Sequence, residues 1–322
     1  MPILPLGLLL LGGLCLYYGA EWLVRGAAGL AMAFGVSSVV VGLTVVSLGT
    51  SAPELIVSTI AAAGNKPAIA LGNVVGSNIA NVGLILGLTA LIAPPIVDAS
   101  LFKREVPALL AATLAVPLAL IDGRIGRFDA ALFTLAGIAF MVATLRWTER
   151  EPKSIADPST EPAAETLGTP ALAGLVVVGL VVLFGGGHAF VAGAVGVARW
   201  IGMSERVVGL TVVALGTSLP ELAASLVAAT RGHSDLAVGN VVGSNLLNIL
   251  LILGVAGLVH PIPGSLADGS VDLTVMVVLT LLCAFAIRRE RRITRIEGLL
   301  FVGSYLAFIG GIAAMGRIPA VG

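Results

Sequence analysis

Two glutamates within long apolar stretches are the residues best suited to chemistry in this chain. Glu54 stands in GTSAPEL (49–55) and Glu221 in GTSLPEL (216–222), each directly after a proline. An acidic side chain at the middle of a membrane costs about 2.5–3.5 kcal/mol, so such residues usually mark the path of an ion or a proton. Neither glutamate has a Lys or Arg close to it on its own helix. The alternative interpretation is a pair of protonated, hydrogen-bonded structural glutamates.

Oxygen-bearing side chains surround both glutamates at helical spacing, so each group shares one helix face. Ca²⁺ takes about six to eight oxygen ligands and sodium suits fewer, neutral oxygens, whereas zinc or copper would favour His or Cys. The same Ser and Asn side chains could instead hydrogen-bond between packed membrane helices. The candidate set is Ser47, Thr50, Ser51, Glu54, Ser58, Asn73, Ser77 and Asn81, with the counterparts Ala214, Thr217, Ser218, Glu221, Ser225, Asn240, Ser244 and Asn248.

An internal repeat positions these residues twice. Segments 42–81 and 209–248 align without a gap at an offset of 167 and agree at 24 of 40 positions. Each segment contains a Gly-Thr-Ser-x-Pro-Glu core near its start and a GNVVGSN motif near its end. Each proline removes one N–H from the helix ladder, which predicts a kink and a freed carbonyl at Gly49 or Gly216. A bound cation is a suitable partner for such a carbonyl inside a membrane.

Composition places these repeats in a membrane. The 322 residues are 57% hydrophobic and only 11% charged, with no net charge, whereas soluble proteins carry about 25% charged residues. A cytosolic enzyme, a nucleic-acid-binding protein and a disordered protein are therefore excluded. Two distant cysteines, Cys15 and Cys283, lie in apolar runs and are expected to be inert packing residues.

Ten apolar runs are long enough to cross a bilayer, which needs about 20 residues each. We therefore predict an all-α polytopic membrane protein with ten transmembrane helices, arranged as two inverted five-helix repeats, because an odd number of helices per half reverses the second copy. The halves are 1–147 and 170–322, joined by a polar linker at 148–169. The predicted spans are 3–30, 39–64, 71–93, 104–121, 128–147, 170–199, 206–230, 237–259, 270–288 and 296–316.

The distribution of Lys and Arg predicts the orientation. With the N-terminus outside, 12 basic residues fall at cytoplasmic ends and 6 at outer ends. The positive-inside rule therefore favours both termini outside, in a plasma (inner) membrane.

The two repeats resemble the α-repeats of the cation/Ca²⁺ antiporter superfamily, through GTSAPEL with GNVVGSNIAN (72–81) and GTSLPEL with GNVVGSNLLN (239–248). The resemblance covers essentially the whole chain. It implies that Glu54 and Glu221 chelate Ca²⁺, that Thr50 and Thr217 add backbone carbonyls, and that Asn81 and Asn248 line the centre. It also implies flanking sodium sites built from Ser51, Ser77, Ser218 and Ser244 with the carbonyls of Ser47 and Ala214. Some members of the superfamily carry an aspartate at one of the two Asn positions, so site occupancy and proton coupling stay open.

Further residues carry expectations of their own. Glu21 and His188 correspond at the same offset and could sense protons, but an ion pair between Glu21 and Arg25, four residues apart, is the favoured interpretation. The spacings Gly72/Gly76 and Gly239/Gly243 predict close helix packing.

The favoured hypothesis is a secondary antiporter that exchanges Ca²⁺ for Na⁺ by alternating access. It is not an enzyme, and it needs no cofactor, nucleic acid or obligatory protein partner besides the bilayer and its transported ions. The first alternative is Ca²⁺/H⁺ exchange on the same scaffold, with the glutamates carrying protons. A passive cation channel with a glutamate filter and an intramembrane hydrolase are weaker alternatives, because inverted repeats suit alternating access and neither repeat core holds a His or Lys base.

Overall fold

The computed structural model describes residues 3–97, 101, 103–148, 167–202, 216–266, 269–290 and 292–315, and these are almost entirely helical. The first half comprises α1 (Ile3–Phe34), α2 (Ser38–Thr50), α3 (Ala52–Ala63), α4 (Pro67–Ala80, continued through Asn81–Leu86 and Gly87–Ile92), α5 (Glu105–Ala119) and α6 (Arg127–Thr148). The second half comprises α7 (Thr169–Trp200), α8 (Leu219–Thr230), α9 (Ser234–Leu247, continued through Asn248–Leu253 and Gly254–Val259), α10 (Ser270–Glu290) and α11 (Arg295–Met315).

The helix boundaries repeat at the offset of the sequence repeat. Helices α3 and α8 have 12 residues each, and both begin and end at positions 167 residues apart. The same holds for each of the three parts of α4 and α9. The repeated motifs therefore fold into the same local structure twice.

Seven helices are long and apolar enough to cross a membrane, or eight if the bent pair α2–α3 counts as one span. Each of the ten predicted runs contains a helix, but α5 and α8 are short, at 15 and 12 residues. The residues before Gly216 in the predicted span 206–230 lie outside the described chain. The structure thus establishes a helical membrane protein, and the count of ten stays a prediction.

Helices α4 and α9 form the centre of the bundle. Their candidate spans are 72% and 83% buried inside the protein, against 22% for α1 and 28% for α7. The GNVVGSN motifs are therefore carried by the most enclosed helices. These motifs contribute Asn and Ser side chains to the interior, where polar groups need partners.

The long helices α1 and α7 pack against each other through glycines. A Cβ at Gly19 would lie 2.8 Å from the Leu183 nitrogen, and one at Gly179 would lie 2.6 Å from the Leu23 nitrogen. Such close approach of two backbones needs residues without side chains.

Short pairings join the two halves of the chain outside the helices. Strand β1 (Arg124–Ile125) pairs antiparallel with β2 (Ile262–Pro263). An isolated bridge connects Ile96 to Arg292, and the Ile293 N–H donates to the Pro95 carbonyl at 3.0 Å. The loop after α4 is thus fixed to the loop before α11.

Candidate cation-binding site

A break in the first repeat separates α2 from α3 at Ser51. The two helices meet at 47°, and Ser51 has φ −84° and ψ 6°. Pro53 lies at the start of α3, where its missing N–H leaves no helical bond unmade. The Ser51 N–H donates to the Ser47 carbonyl at 3.0 Å. The chain then turns at Ser51 instead of continuing the helix, and the freed Gly49 carbonyl stays a prediction.

The second repeat has the same conformation at Ser218, with φ −89° and ψ 4°. Pro220 again lies at the start of the following helix. The Leu222 N–H donates to the Ser218 carbonyl at 3.0 Å, as the Leu55 N–H does to Ser51 at 3.1 Å. Ala214 lies outside the described residues, so its predicted carbonyl role cannot be placed.

Both glutamates lie in the first turn of the helix that follows the break. They are buried, with 1% exposure for Glu54 and 3% for Glu221. The N-terminal end of a helix favours a negative charge. In the part of the chain that the structure describes, neither carboxylate forms an ion pair with a Lys, Arg or His, and the two carboxylates lie near enough to repel each other. Two buried carboxyl groups thus share one region, without an ion-pair partner among the described residues.

Hydroxyl groups of each repeat contact the glutamate of the other. Ser51 Oγ donates to Glu221 Oε1 at 3.2 Å. The Thr50 hydroxyl also hydrogen-bonds to Glu221, and the equivalent Thr217 hydroxyl hydrogen-bonds to Glu54. The two halves of the site are therefore interlocked, and each carboxylate is held by residues from the opposite repeat.

The predicted sodium-site serines are all buried. Ser51 Oγ lies 3.1 Å from Ser244 Oγ, which joins the break of the first repeat to α9 of the second. Ser77 and Ser218, their counterparts, are 6% and 5% exposed. The Ser47 hydroxyl donates to the Leu43 carbonyl at 2.6 Å. The Ser47 carbonyl accepts from the Ser51 N–H at 3.0 Å, so its role at a sodium site stays a prediction.

Asn73 and Asn240 have the structural role that the sequence left open. The Asn73 amide donates to Ser58 at 3.0 Å and the Asn240 amide to Ser225 at 2.9 Å. Both amides also reach the backbone carbonyl of the glutamate in their own repeat, at 3.4 and 3.5 Å. These asparagines therefore fix the glutamate helices α3 and α8 against α4 and α9.

The central asparagines start irregular turns that the sequence does not reveal. Asn81 and Asn248 each begin a π-helical segment, Asn81–Leu86 and Asn248–Leu253. Such segments are rare and often occur at functional sites, because they displace side chains and carbonyls from regular helix positions. A third segment, Gly42–Val46, precedes the break in α2. Asn81 also donates to the Asn245 side chain at 2.9 Å.

The site is rich in oxygen atoms that lack a donor. Glu54 Oε2, Glu221 Oε2, Asn81 Oδ1 and Asn248 Oδ1 are buried without a hydrogen-bond partner among the described residues. A buried acceptor left unpaired is costly, and a carboxylate oxygen costs more. A hard cation satisfies such oxygens. No group of three or more His, Cys, Asp or Glu side chains that could hold a metal occurs within the described chain.

Two predicted close-packing pairs have different outcomes. A Cβ at Gly239 would lie 2.8 Å from the Val39 carbonyl, and one at Gly243 would lie 2.8 Å from the Leu43 carbonyl, which confirms tight packing of α9 on α2. Gly72 and Gly76 meet nothing within 4 Å among the described residues. Close packing of this pair stays a prediction, because residues 203–215 of the second repeat lie outside the described chain.

Glu21 forms an ion pair with Arg231, a residue that the predicted local pair with Arg25 did not include. Arg231 Nη2 lies 2.9 Å from Glu21 Oε1, and Arg231 Nε donates to Glu21 Oε2 at 3.0 Å. Arg231 follows the end of α8 and binds Glu21 of α1 through both sides of its guanidinium group. Helical spacing cannot predict this contact, because it depends on how α1 packs against α8. His188 is exposed on α7, whereas both glutamates are buried.

The fold and the oxygen-lined centre, built twice from one motif pair, define a cation transporter of the membrane. The family model "Sodium/calcium exchanger protein" matches the chain twice, over residues 4–146 and 171–313. The chain belongs to this family, which is one of transport proteins.

Curated relatives agree over almost the full length. The chain is 40% identical over 308 residues to the putative antiporter CaxA of Alkalimonas amylolytica, covering 94% of this chain and 95% of that protein. It is 33% identical over 339 residues to the sodium/calcium exchanger MaX1 of Methanosarcina acetivorans, covering 94% and 96%.

A solved structure has the same fold. The sodium-calcium exchanger NCX_Mj, soaked with 10 mM Na⁺ and zero Ca²⁺, matches with a TM-score of 0.83 and 35% identity over 97% of this chain and 100% of that chain. The recognition of the superfamily from the two motif pairs is thereby confirmed.

Proposed function

We propose that this protein is a secondary antiporter that exchanges Ca²⁺ for Na⁺ by alternating access. The observation that carries the proposal is the pair of buried glutamates, one from each repeat. They are held by hydroxyls of the opposite repeat, and neither pairs with a Lys, Arg or His among the described residues. Two carboxylates match the charge of one Ca²⁺. The printed names of MaX1 and NCX_Mj, both sodium/calcium exchangers, support the same ions.

The proposed central site takes Ca²⁺ on Glu54 and Glu221, with the carbonyls of Thr50 and Thr217 and the side chains of Asn81 and Asn248 nearby. The proposed sodium sites flank it at Ser51, Ser77, Ser218 and Ser244, with the carbonyls of Ser47 and Ala214. The contact between Ser51 and Glu221 supports this arrangement, because it makes one hydroxyl common to a sodium site and the Ca²⁺ site.

Exchange follows from competition for shared oxygens. Ca²⁺ on the two carboxylates and Na⁺ on the adjoining serines use overlapping atoms, so the occupants exclude each other. An empty site carries two unpaired negative charges, and moving these through a low-dielectric interior is costly. The protein therefore reorients when loaded, which couples the two fluxes.

We propose ten spans in two inverted halves, 1–147 and 170–322, with both termini outside a plasma membrane.

Ca²⁺/H⁺ exchange is the second candidate, because each glutamate keeps one oxygen without a donor that a proton could occupy. Proteoliposomes separate the two functions. Ca²⁺ uptake should follow an imposed outward Na⁺ gradient at equal pH, and it should be absent when a pH gradient is imposed without Na⁺. Uptake driven by the pH gradient alone would instead establish proton coupling.

A further inference from the structure

A cleft of about 300 Å³ lies away from the glutamates, where three helix ends meet. We call it the arginine cleft; its lining residues are Pro94, Arg292, Thr294 and Arg295. Pro94 follows the end of α4, and the other three lie between α10 and the start of α11. The bridge between Ile96 and Arg292 and the bond from Ile293 to Pro95 hold its two sides together. The cleft is thus built by both halves of the chain.

Within the described part of the chain, no carboxylate forms an ion pair with the two arginines of the cleft. Arg292 and Arg295 are exposed and form no ion pair among the described residues. The adjacent carboxylate, Glu297, is occupied by Thr294: it accepts from the Thr294 N–H at 2.8 Å and from the Thr294 hydroxyl at 2.9 Å. Counted over Arg292, Arg295 and Glu297, the described side chains carry one net positive charge. A guanidinium fork suits the paired oxygens of a phosphate.

The surroundings of the cleft are apolar and face outward. Ile96 is 65% exposed, Ile296 73% and Leu299 63%. Helix α11 begins at Arg295 and is a candidate membrane span of which only 17% is buried. Exposed apolar side chains on such a helix contact lipid tails. The arginine cleft therefore lies at the membrane boundary, directly beside a lipid-facing surface.

We propose that the arginine cleft binds the phosphate of an anionic phospholipid headgroup, with the acyl chains lying along Ile296 and Leu299 of α11. Basic pockets between helix ends at the cytoplasmic surface are suited to such headgroups, and the predicted orientation places this cleft on that side. One net positive charge matches the single charge of a phosphodiester such as phosphatidylglycerol. The bound lipid would join the α4–α5 loop to the α10–α11 loop.

The test measures lipid retention on the purified full-length protein in detergent, by native mass spectrometry during titration with phosphatidylglycerol or phosphatidylcholine. The wild type should retain phosphatidylglycerol in preference. Arg292→Gln with Arg295→Gln should weaken this retention by about tenfold per guanidinium, the loss of one charge-assisted bond each. Retention by the double variant Arg292→Lys with Arg295→Lys should lie between that of the wild type and that of the Gln double variant, because the charge stays while the planar fork is lost.

A matched control removes the same charge elsewhere, through Arg124→Gln with Arg146→Gln. Both side chains are exposed and lie outside the cleft. The control should retain phosphatidylglycerol like the wild type, and excess inorganic phosphate should displace little of it, because the acyl chains add binding. Equal loss in both double variants, unchanged retention in the cleft variant, or full displacement by inorganic phosphate would overturn the proposal. Ion flux is not measured, so the result is independent of the proposed exchange.

Discussion

The Ser51 hydroxyl of the first repeat donates to the Glu221 carboxylate of the second repeat at 3.2 Å. The Thr217 hydroxyl binds Glu54 in return. A site assembled in this way cannot form from either repeat alone. Its two carboxylates are placed by the packing of the repeats on each other, so disturbance of one repeat should weaken ion binding by the other.

Loss of either carboxylate charge should abolish efficient transport. Glu54→Gln and Glu221→Gln keep the side-chain shape but remove one negative charge from a buried site, so the apparent Ca²⁺ affinity should fall about a hundredfold, the scale of losing one member of a buried charge pair. Ca²⁺ uptake into proteoliposomes measures this. Asp122→Asn, an exposed carboxylate in the loop after α5, is the control and should transport normally. Normal affinity in both Gln variants would refute the site.

Removal of the Ser51 hydroxyl should weaken the use of Na⁺ more than the binding of Ca²⁺. Ser51→Ala removes the hydrogen bonds with Glu221 and Ser244. Because one hydrogen-bonding oxygen is lost from the sodium site, the Na⁺ concentration for half-maximal exchange should rise about three- to tenfold. Ser304→Ala on α11, with no side-chain contact to the glutamates, should leave it unchanged. A Ser51→Ala protein with unaltered Na⁺ dependence would remove Ser51 from the sodium site.

Close packing of α9 on α2 should make Gly243 intolerant of a side chain. A Cβ there would lie 2.7 Å from Ser47 Oγ and 2.8 Å from the Leu43 carbonyl, so Gly243→Ala should lower the free energy of unfolding by about 1–3 kcal/mol through overpacking. Gly303→Ala, where nothing lies within 4 Å, should be neutral or slightly stabilising because alanine favours helix. Thermal unfolding in detergent compares the two. Equal melting temperatures would show that the contact can relax.

The ion pair between Glu21 and Arg231 should couple α1 to the end of α8. Both side chains are partly exposed, at 24% and 42%, so screening by salt should reduce its effect. Glu21→Gln and Arg231→Gln should each lower the melting temperature slightly, and the double variant should lose less than the sum of the two. If the decreases in melting temperature are additive and do not depend on salt concentration, Glu21 and Arg231 have no interaction energy with each other.

Much of the fold and of the candidate site follows from local sequence patterns. The repeat offset predicts the matching bounds of α3 with α8 and of α4 with α9, because proline and glycine act on the chain locally. The positions of Glu54 and Glu221 follow from the motifs for the same reason. The apolar runs do not predict that α5 and α8 are only 15 and 12 residues long, because a run of apolar residues does not fix where its helix begins and ends.

The remaining features depend on tertiary packing. Nothing in the composition of Asn81–Leu86 or Asn248–Leu253 distinguishes a π-helical segment from an α-helix. Arg231 lies 210 residues from Glu21 in the sequence, so helical spacing cannot predict their ion pair. The roles of Asn73 and Asn240 depend on Ser58 and Ser225, which lie opposite their amides only in the folded chain.

The most direct test of the account is uptake of radiolabelled Ca²⁺ into Na⁺-loaded proteoliposomes, measured for the wild type and for Glu54→Gln with Glu221→Gln. The account predicts uptake that rises with the outward Na⁺ gradient, stops when Na⁺ is replaced on the inside, and disappears in the double variant. Uptake that does not depend on the Na⁺ gradient would contradict the coupling of Ca²⁺ to Na⁺. Uptake that persists in the double variant would contradict the assignment of Glu54 and Glu221 as the Ca²⁺ ligands.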